Sequence, residues 1–293
     1  MFEGFNRAQI ETSGAVINLV HGGKGPPLLL LHGNPLTHVM WHKTAPELAR
    51  DFHVVATDLR GYGDSSKPDG GPGHDAYSFR AMAEDQVEIM AHFGHDRFFV
   101  AGHDRGARVG HRMALDHPDK VLKLAVLDIV PTHHILSAIP LGWAVESYHW
   151  FFMAQPYDFP EKLLAADPAY YMKKKLDKKG VGLGPFTPDA MAEYIRCCTP
   201  ENIHAVCEDY RATLAVDFPL DAADLAAGNK IQCPLLVMWG ENSHVGRHFQ
   251  PMEAWRDWSD DPIAMPLPSG HYPAEEHPEL CIGAMAGFFG GEG

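Results

Sequence analysis

Three residues have the types and the order needed to form and cleave a covalent ester: Asp104, Asp128 and His271. Asp104 follows an apolar run and lies between Gly102 and Gly106, which leave room for a sharp turn from a strand into a helix. The central residue of such a turn is commonly a serine, which attacks carbonyl carbons. A carboxylate instead attacks an sp3 carbon and displaces a leaving group, and water can then cleave the ester. The site therefore predicts chemistry on carbon–halogen bonds or epoxides.

Two arginines follow this aspartate at a spacing of three residues. Arg105 and Arg108 would share one face of the first helical turn, with the positive end of the helix dipole behind them. Guanidinium groups bind carboxylates through paired, charge-assisted hydrogen bonds. The spacing predicts a substrate that carries a carboxylate. The alternative is that both arginines make ordinary surface or salt-bridge contacts.

Short apolar runs that alternate with helical segments must position these residues. Strands are predicted over residues 15–22, 26–31, 52–57, 97–101, 122–127, 234–240 and 263–267, with helices over 41–50 and 78–93. Residues 22–25, which are Gly-Gly-Lys-Gly, predict a hairpin-type turn. The continuous apolar runs are typical of strands buried on both faces of a sheet. This rhythm predicts an α/β fold with a mostly parallel, doubly wound sheet.

The strand rhythm stops at Pro131, and the chain becomes aromatic and helical as far as about Leu225. We interpret this segment as a helical cap inserted into the sheet domain. The predicted division is a core domain of residues 1–130 and 226–293 and a cap of residues 131–225.

Composition and charge exclude several classes of protein. Of the 293 residues 45% are hydrophobic and 21% are charged, which is typical of a soluble globular protein. The formal net charge of −14 and the lack of a basic stripe argue against nucleic acid as a partner. No secretory signal or membrane-spanning segment is evident, so a cytoplasmic location is expected. The five cysteines lack C-x-x-C spacing and are expected to be reduced thiols.

These motifs together resemble the α/β-hydrolase superfamily, in which the acid and the base follow the nucleophile in this order. The resemblance covers nearly the whole chain and includes His-Gly-Asn-Pro at 32–35, the loop 58–66, the turn at Asp104 and the Gly-His at 270–271. The segments 103–108, 127–129, 149–150 and 209–211 are similar to haloacetate (fluoroacetate) dehalogenases.

The resemblance implies a role for each matching residue. Asp104 would be the nucleophile, His271 the base that activates water, and Asp128 the acid that orients His271. Arg105 and Arg108 would bind the substrate carboxylate, and the backbone N–H groups of Asn34 and Arg105 would stabilise the oxyanion. The halide would be held by three cap residues, His149, Trp150 and Tyr210. The resemblance implies no cofactor, a small haloacid as substrate, and hydrolysis through an aspartyl ester; a homodimer is expected on general grounds.

Several alternatives stay open at the level of sequence. Asn34 stands where the fluoroacetate enzymes commonly carry an aromatic residue, and Glu241 follows a strand from which the triad acid could also come. An epoxide hydrolase would use similar machinery, with Tyr148 and Tyr210 protonating the epoxide oxygen. A non-catalytic binding module on the same fold is the third interpretation.

A metal site is not expected. The pairs His38/His42 and His244/His248 have a four-residue spacing, but no Cys or carboxylate accompanies them at zinc-site spacing. Such pairs arise by chance in a chain with 19 histidines.

Overall fold

The strands form one mixed sheet in the computed structural model, which describes residues 1–178 and 181–291. Within those residues the sheet has eight strands: β1 (Asn6–Glu11), β2 (Val16–Gly22), β3 (Pro27–Leu31), β4 (His53–Thr57), β5 (Phe98–His103), β6 (Val121–Leu127), β7 (Leu235–Gly240) and β8 (Ile263–Leu267). Their spatial order is β1-β2-β4-β3-β5-β6-β7-β8. β2 pairs antiparallel with β1 and with β4, and the other five neighbouring pairs are parallel.

The apolar strands occupy the centre of the sheet because both of its faces are covered. Leu28 to Leu31 in β3 are fully buried, and β3 pairs with β4 on one side and with β5 on the other. The hairpin-type turn predicted at residues 22–25 is therefore wrong, since β2 pairs with β1 and β4 instead of β3. The hairpin in this region joins β1 to β2, and its turn is closed by Thr12 N–H donating to Ala15 O at 2.8 Å.

Helices connect the strands and cover the sheet. They are α1 (Ala45–Leu48), α2 (Phe79–His92), α3 (Arg105–Asp116), α4 (Thr132–Ser137), α5 (Leu141–Glu146), α6 (His149–Met153), α7 (Phe159–Leu164), α8 (Pro168–Leu176), α9 (Pro188–Cys197), α10 (Pro200–Ala212), α11 (Phe218–Ala227), α12 (His244–His248), α13 (Pro251–Arg256), α14 (Pro273–Glu276) and α15 (Pro278–Gly290). A π-helical stretch, Thr213–Asp217, joins α10 to α11.

The helix predicted over residues 41–50 is shorter and broken. A 3-10 turn covers His38–Trp41, and α1 begins afresh at Ala45. Pro46 lies at the start of α1, where its missing N–H is tolerated, whereas a helix running through it would lose a hydrogen bond.

The helices from α4 to α11 all fall between β6 and β7. This placement agrees with an insertion near residues 131–225, although the division into a core domain and a cap stays a prediction. None of the helices in residues 1–178 and 181–291 is long and apolar enough to cross a bilayer.

Candidate active site

The turn at Asp104 has the strained backbone that the sequence predicts. Asp104 joins β5 to α3 with φ 45° and ψ −113°, a conformation that non-glycine residues rarely adopt. A Cβ on Gly102 would lie 2.4 Å from the carbonyl oxygen of Gly106, and one on Gly106 would lie 2.5 Å from that of His32. Glycine is thus required on both sides of the aspartate. The strained turn holds the carboxylate at the carboxyl end of the parallel sheet, where loops from several strands converge.

The carboxylate of Asp104 is 8% exposed and is kept ionised by its surroundings. Burial alone would raise its pKa, but electrostatic interactions with His271 and with the guanidinium groups of Arg108 and Arg105 outweigh burial and lower that pKa below its ordinary value. The backbone N–H of Asn34 donates to Oδ2 at 3.1 Å. Arg105 is the first residue of α3, so its backbone N–H has no acceptor within the helix. Both predicted oxyanion donors therefore flank the predicted nucleophile.

His271 and Asp128 form a buried hydrogen-bonded pair. The Nδ1–H of His271 donates to Oδ2 of Asp128 at 2.6 Å, and the N–H of Gly240 donates to the other oxygen at 2.9 Å. Burial lowers the pKa of His271 well below its ordinary value and raises the pKa of Asp128 to about 7. The two share one proton in a dry environment, which leaves Nε2 of His271 available as a base. Glu241 is exposed, and the carboxylate that accepts the hydrogen bond of His271 belongs to Asp128.

Arg105 is held by a carboxylate that sequence reasoning did not assign to it. Asp209 in α10 accepts from Nε of Arg105 at 2.9 Å and forms a buried ion pair with Nη2. Both side chains are fully buried, and Tyr62 donates its hydroxyl to Asp209 at 2.7 Å. Nη1 of Arg105 is buried without a hydrogen-bond partner in the described part of the chain. The predicted salt-bridge alternative therefore applies to Nε and Nη2 of Arg105, whereas Nη1 is left to bind another group.

Arg108 is held by a backbone carbonyl and a hydroxyl group instead of a carboxylate. Its Nη1 donates to Val130 O at 3.0 Å and to the Thr132 hydroxyl at 2.9 Å, whereas its buried Nε has no partner among the described residues. Burial lowers the pKa of Arg108 to about 10, which still leaves it charged at neutral pH. Since an unsatisfied buried donor costs about 1–3 kcal/mol, these nitrogens of Arg105 and Arg108 would be stabilised by a bound acceptor.

The predicted cap residues gather above the two arginines. His149 and Trp150 begin α6, and Tyr210 lies in α10, with its ring 5.6 Å from that of His149 and 5.8 Å from that of Trp150. The guanidinium of Arg105 lies 4.4 Å from the Tyr210 ring, and that of Arg108 lies 4.7 Å from the Trp150 ring. The structure therefore brings all three aromatic residues to the site that contains Asp104.

The side chain of Asn34 contacts this aromatic group directly. Its Nδ2 donates to the hydroxyl oxygen of Tyr210 at 3.2 Å, and its buried Oδ1 has no partner in the described residues. Because the Tyr210 oxygen accepts this bond, the hydroxyl hydrogen is free to donate to another group. Burial raises the pKa of Tyr210, so the phenol keeps that hydrogen.

Two histidines near the base were missed from the sequence. Nε2–H of His103, the last residue of β5, donates to the backbone oxygen of His271 at 2.6 Å and connects the end of that strand to the loop that carries the base. The ring of His244 lies 4.5 Å from that of His271, so its structural neighbour is the base and not only His248. Potential ligand atoms of Asp128, His244 and His271 lie within 4.8 Å of one another. Nδ1 of His271 is already bound to Asp128, and the absence of a metal stays a prediction.

Comparisons with known proteins show one fold, and the similar proteins include a dehalogenase and an epoxide hydrolase. A family model described as alpha/beta hydrolase fold matches residues 26–278. A fluoroacetate dehalogenase from Burkholderia sp is 46% identical over 281 residues, which cover 95% of this chain and 92% of that protein. A soluble epoxide hydrolase from Corynebacterium sp. (strain C12) is 32% identical and covers 96% of both. The crystal structure of a protein from Nostoc sp PCC 7120, assigned provisionally as an alpha/beta hydrolase, has a TM-score of 0.96 at 52% identity and covers 99% of both chains.

Proposed function

Because this chain belongs to the α/β-hydrolase family, we propose that it hydrolyses haloacetates to glycolate and halide through an ester on Asp104. The fold predicted from the sequence is confirmed by the family match, and the fluoroacetate dehalogenase of Burkholderia sp is a relative over nearly the full length. The observation that carries the proposal is a pair of buried nitrogens, Nη1 of Arg105 and Nε of Arg108, which have no partner within residues 1–178 and 181–291 and lie beside the proposed carboxylate nucleophile.

In the first step the two arginines bind the substrate carboxylate and place its α-carbon in front of Asp104. An Asp104 oxygen forms a bond to that carbon while the carbon–halogen bond breaks, and the halide leaves with the electron pair. Fixing the reactants in line contributes up to ~7–11 kcal/mol for well-oriented reactions. The halide gains hydrogen bonds from His149, Trp150 and Tyr210, whose hydroxyl hydrogen is free.

In the second step water attacks the carboxyl carbon of the ester, and Nε2 of His271 takes its proton. Asp128 keeps the His271 ring in the orientation that exposes Nε2. The negative charge on the tetrahedral intermediate is stabilised by the backbone N–H groups of Asn34 and Arg105. On collapse of the intermediate the glycolate oxygen leaves and takes the proton held by His271, and the carboxylic acid left on Asp104 loses its proton to solvent, which restores the carboxylate.

The decisive experiment combines halide release with capture of the ester. Wild-type protein should release fluoride from fluoroacetate or chloride from chloroacetate. His271→Gln should stop after one turnover and carry one carboxymethyl group on Asp104, located by peptide mass spectrometry. Asp104→Asn is the matched control, because it keeps the shape of the site and should carry no such group. Stoichiometric halide release by His271→Gln with unmodified Asp104 would refute the ester.

Epoxide hydrolysis is the second candidate, supported by the Corynebacterium relative. It needs two tyrosine hydroxyls on the epoxide oxygen, and Tyr148 and Tyr210 are the sequence candidates. Tyr148 is 59% exposed, whereas Tyr210 is buried against Asn34. Formation of a diol from styrene oxide without halide release from either haloacetate would favour this function and would leave Arg105 and Arg108 in a structural role.

A further inference from the structure

The chain has no extended basic stripe, but a short basic run at the end of α8 and just after it is left unexplained by the proposed chemistry. Five of the 24 lysines and arginines fall within seven positions, at residues 173, 174, 175, 178 and 179, in a chain whose formal net charge is −14. Lys179 lies outside the described residues. A basic run in an acidic protein is often only a solvated surface, so a functional role requires that the run lies close to the candidate active site.

The described part of this run lines the cavity that leads to the predicted base. The cavity has a volume of about 170 Å³, and its wall includes Lys174, Lys175 and Lys178 together with His149 and His271. The cavity therefore brings lysine side chains and the predicted base to the same space.

The ammonium groups of Lys175 and Lys178 are available to an incoming anion. Both side chains are partly buried, and neither has an ion-pair partner in residues 1–178 and 181–291. The acidic residues that line the same cavity are Glu146, which is paired with Arg247, and Asp177, which is exposed. Because neither carboxylate is paired with Lys175 or Lys178, the ammonium forms of these two lysines make the cavity locally positive.

Desolvation of these two lysines gives an energetic reason for an anion to bind between them. Burial lowers the pKa of Lys175 well below its ordinary value and also lowers the pKa of Lys178, and Asp104 partly opposes this in each case. The same lysines contribute to lowering the pKa of His149 and of His271. A partly desolvated ammonium without a counter-ion is unfavourable, and a bound carboxylate would supply the missing charge.

We propose that Lys175 and Lys178 form an anion subsite in this cavity, which binds the carboxylate of short organic acids before it reaches Arg105 and Arg108. The subsite deepens the proposed haloacetate function and rests on it for its substrate. A chain with a net charge of −14 repels anions at long range, and a local positive funnel offsets that repulsion. The ligand class is a short carboxylate, either the entering haloacid or the departing hydroxyacid.

The kinetic test compares the double variant Lys175→Met/Lys178→Met with Lys173→Met. Lys173 is the matched control, because it belongs to the same run and is exposed, but it does not line the cavity. The double variant should lose about tenfold or more in kcat/KM for chloroacetate at low salt, since electrostatic steering changes association rates by about 10- to 1,000-fold. Its kcat/KM should also depend less on salt between about 0.01 and 0.5 M ionic strength. Lys173→Met should keep the wild-type value and salt dependence.

A binding measurement separates this inference from the proposed function. Calorimetric titration with acetate, which carries no leaving group, should show weaker binding to the double variant than to wild type and Lys173→Met. The variant Lys175→Arg/Lys178→Arg should restore binding, because it keeps both charges. If wild type releases no halide, the proposed function fails while the acetate comparison still decides on the subsite. Equal acetate binding by wild type and the double variant, or equal losses in the double variant and Lys173→Met, would overturn the subsite.

Discussion

The ion pair between Arg105 and Asp209 offers the sharpest test of how this site is held together. Asp209 neutralises Arg105, accepts the Tyr62 hydroxyl at 2.7 Å and is fully buried. In Asp209→Asn the side chain keeps its shape but loses its charge, which leaves the Arg105 guanidinium buried without a counter-ion. Removal of one partner from a buried ion pair costs about 3–5 kcal/mol of unfolding free energy. For a chain of this size that corresponds to a melting temperature lower by about 10 °C.

Asp217 provides a matched control on a neighbouring element. It is also a buried aspartate, but burial raises its pKa well above the ordinary value, the direction that disfavours a charged carboxylate. Its Oδ1 accepts from the N–H of Phe79 at 2.9 Å, a bond that an amide oxygen can keep. Asp217→Asn should therefore change the unfolding free energy by less than about 1 kcal/mol.

Urea unfolding followed by circular dichroism measures both variants on the same scale. Asp209→Asn should also raise KM for chloroacetate, because Arg105 loses the partner that orients its free Nη1. The reasoning fails if Asp209→Asn is as stable as wild type, or if the two substitutions destabilise the protein equally.

Three further predictions follow from the contacts in the site. Arg108→Lys keeps the charge but loses the planar donor set, so kcat/KM for chloroacetate should fall by about 10- to 100-fold, and unchanged kinetics would remove Arg108 from substrate binding. Asn34→Ala removes the donor to the Tyr210 oxygen and should slow fluoride release by about fivefold or more. Chloride release should slow less, since fluoride depends more on hydrogen bonds as it leaves. If the substitution slows the release of both halides by the same factor, Asn34 does not position Tyr210. Burial lowers the pKa of His271 and raises the pKa of Asp128 to about 7, so on acidification Asp128 takes up a proton before His271 does. The profile of kcat should therefore be flat above about pH 7 and fall below it, because a protonated Asp128 no longer accepts from His271, and a profile that stays flat to below about pH 6 would contradict this reasoning.

The parts of the fold that were predicted correctly depend on local patterns. Continuous apolar runs mark buried parallel strands wherever they occur, and β3, β5 and β6 lie within a few residues of their predicted bounds. The turn at Asp104 is equally local, because its glycines are required by atoms of the same segment and of the adjacent strand end. The hairpin-type turn at residues 22–25 was wrong because strand pairing is decided across the whole sheet, where β4 separates β2 from β3.

The site was anticipated unevenly for the same reason. The order of Asp104, Asp128 and His271 along the chain, together with strand ends that meet at one edge of the sheet, was enough to predict their convergence. The partner of Arg105 was not predictable from spacing, since Asp209 is 104 positions away on a helix between β6 and β7. His244 carried a misleading signal, because its spacing to His248 suggested a pair on one helix while its ring packs against His271. A homodimer and a cytoplasmic location stay predictions.

The sequence by itself determined the fold class, the strained turn and the residue types of the site, because these depend on local propensity and on the order of elements. Tertiary structure alone decided which nitrogen atoms of Arg105 and Arg108 stay unpartnered, that Asn34 contacts Tyr210, and that a run of lysines lines the way to His271. Those features depend on packing between helices and loops that are distant in the chain. The sequence pattern of one segment does not show which side chains of another segment will form hydrogen bonds with it.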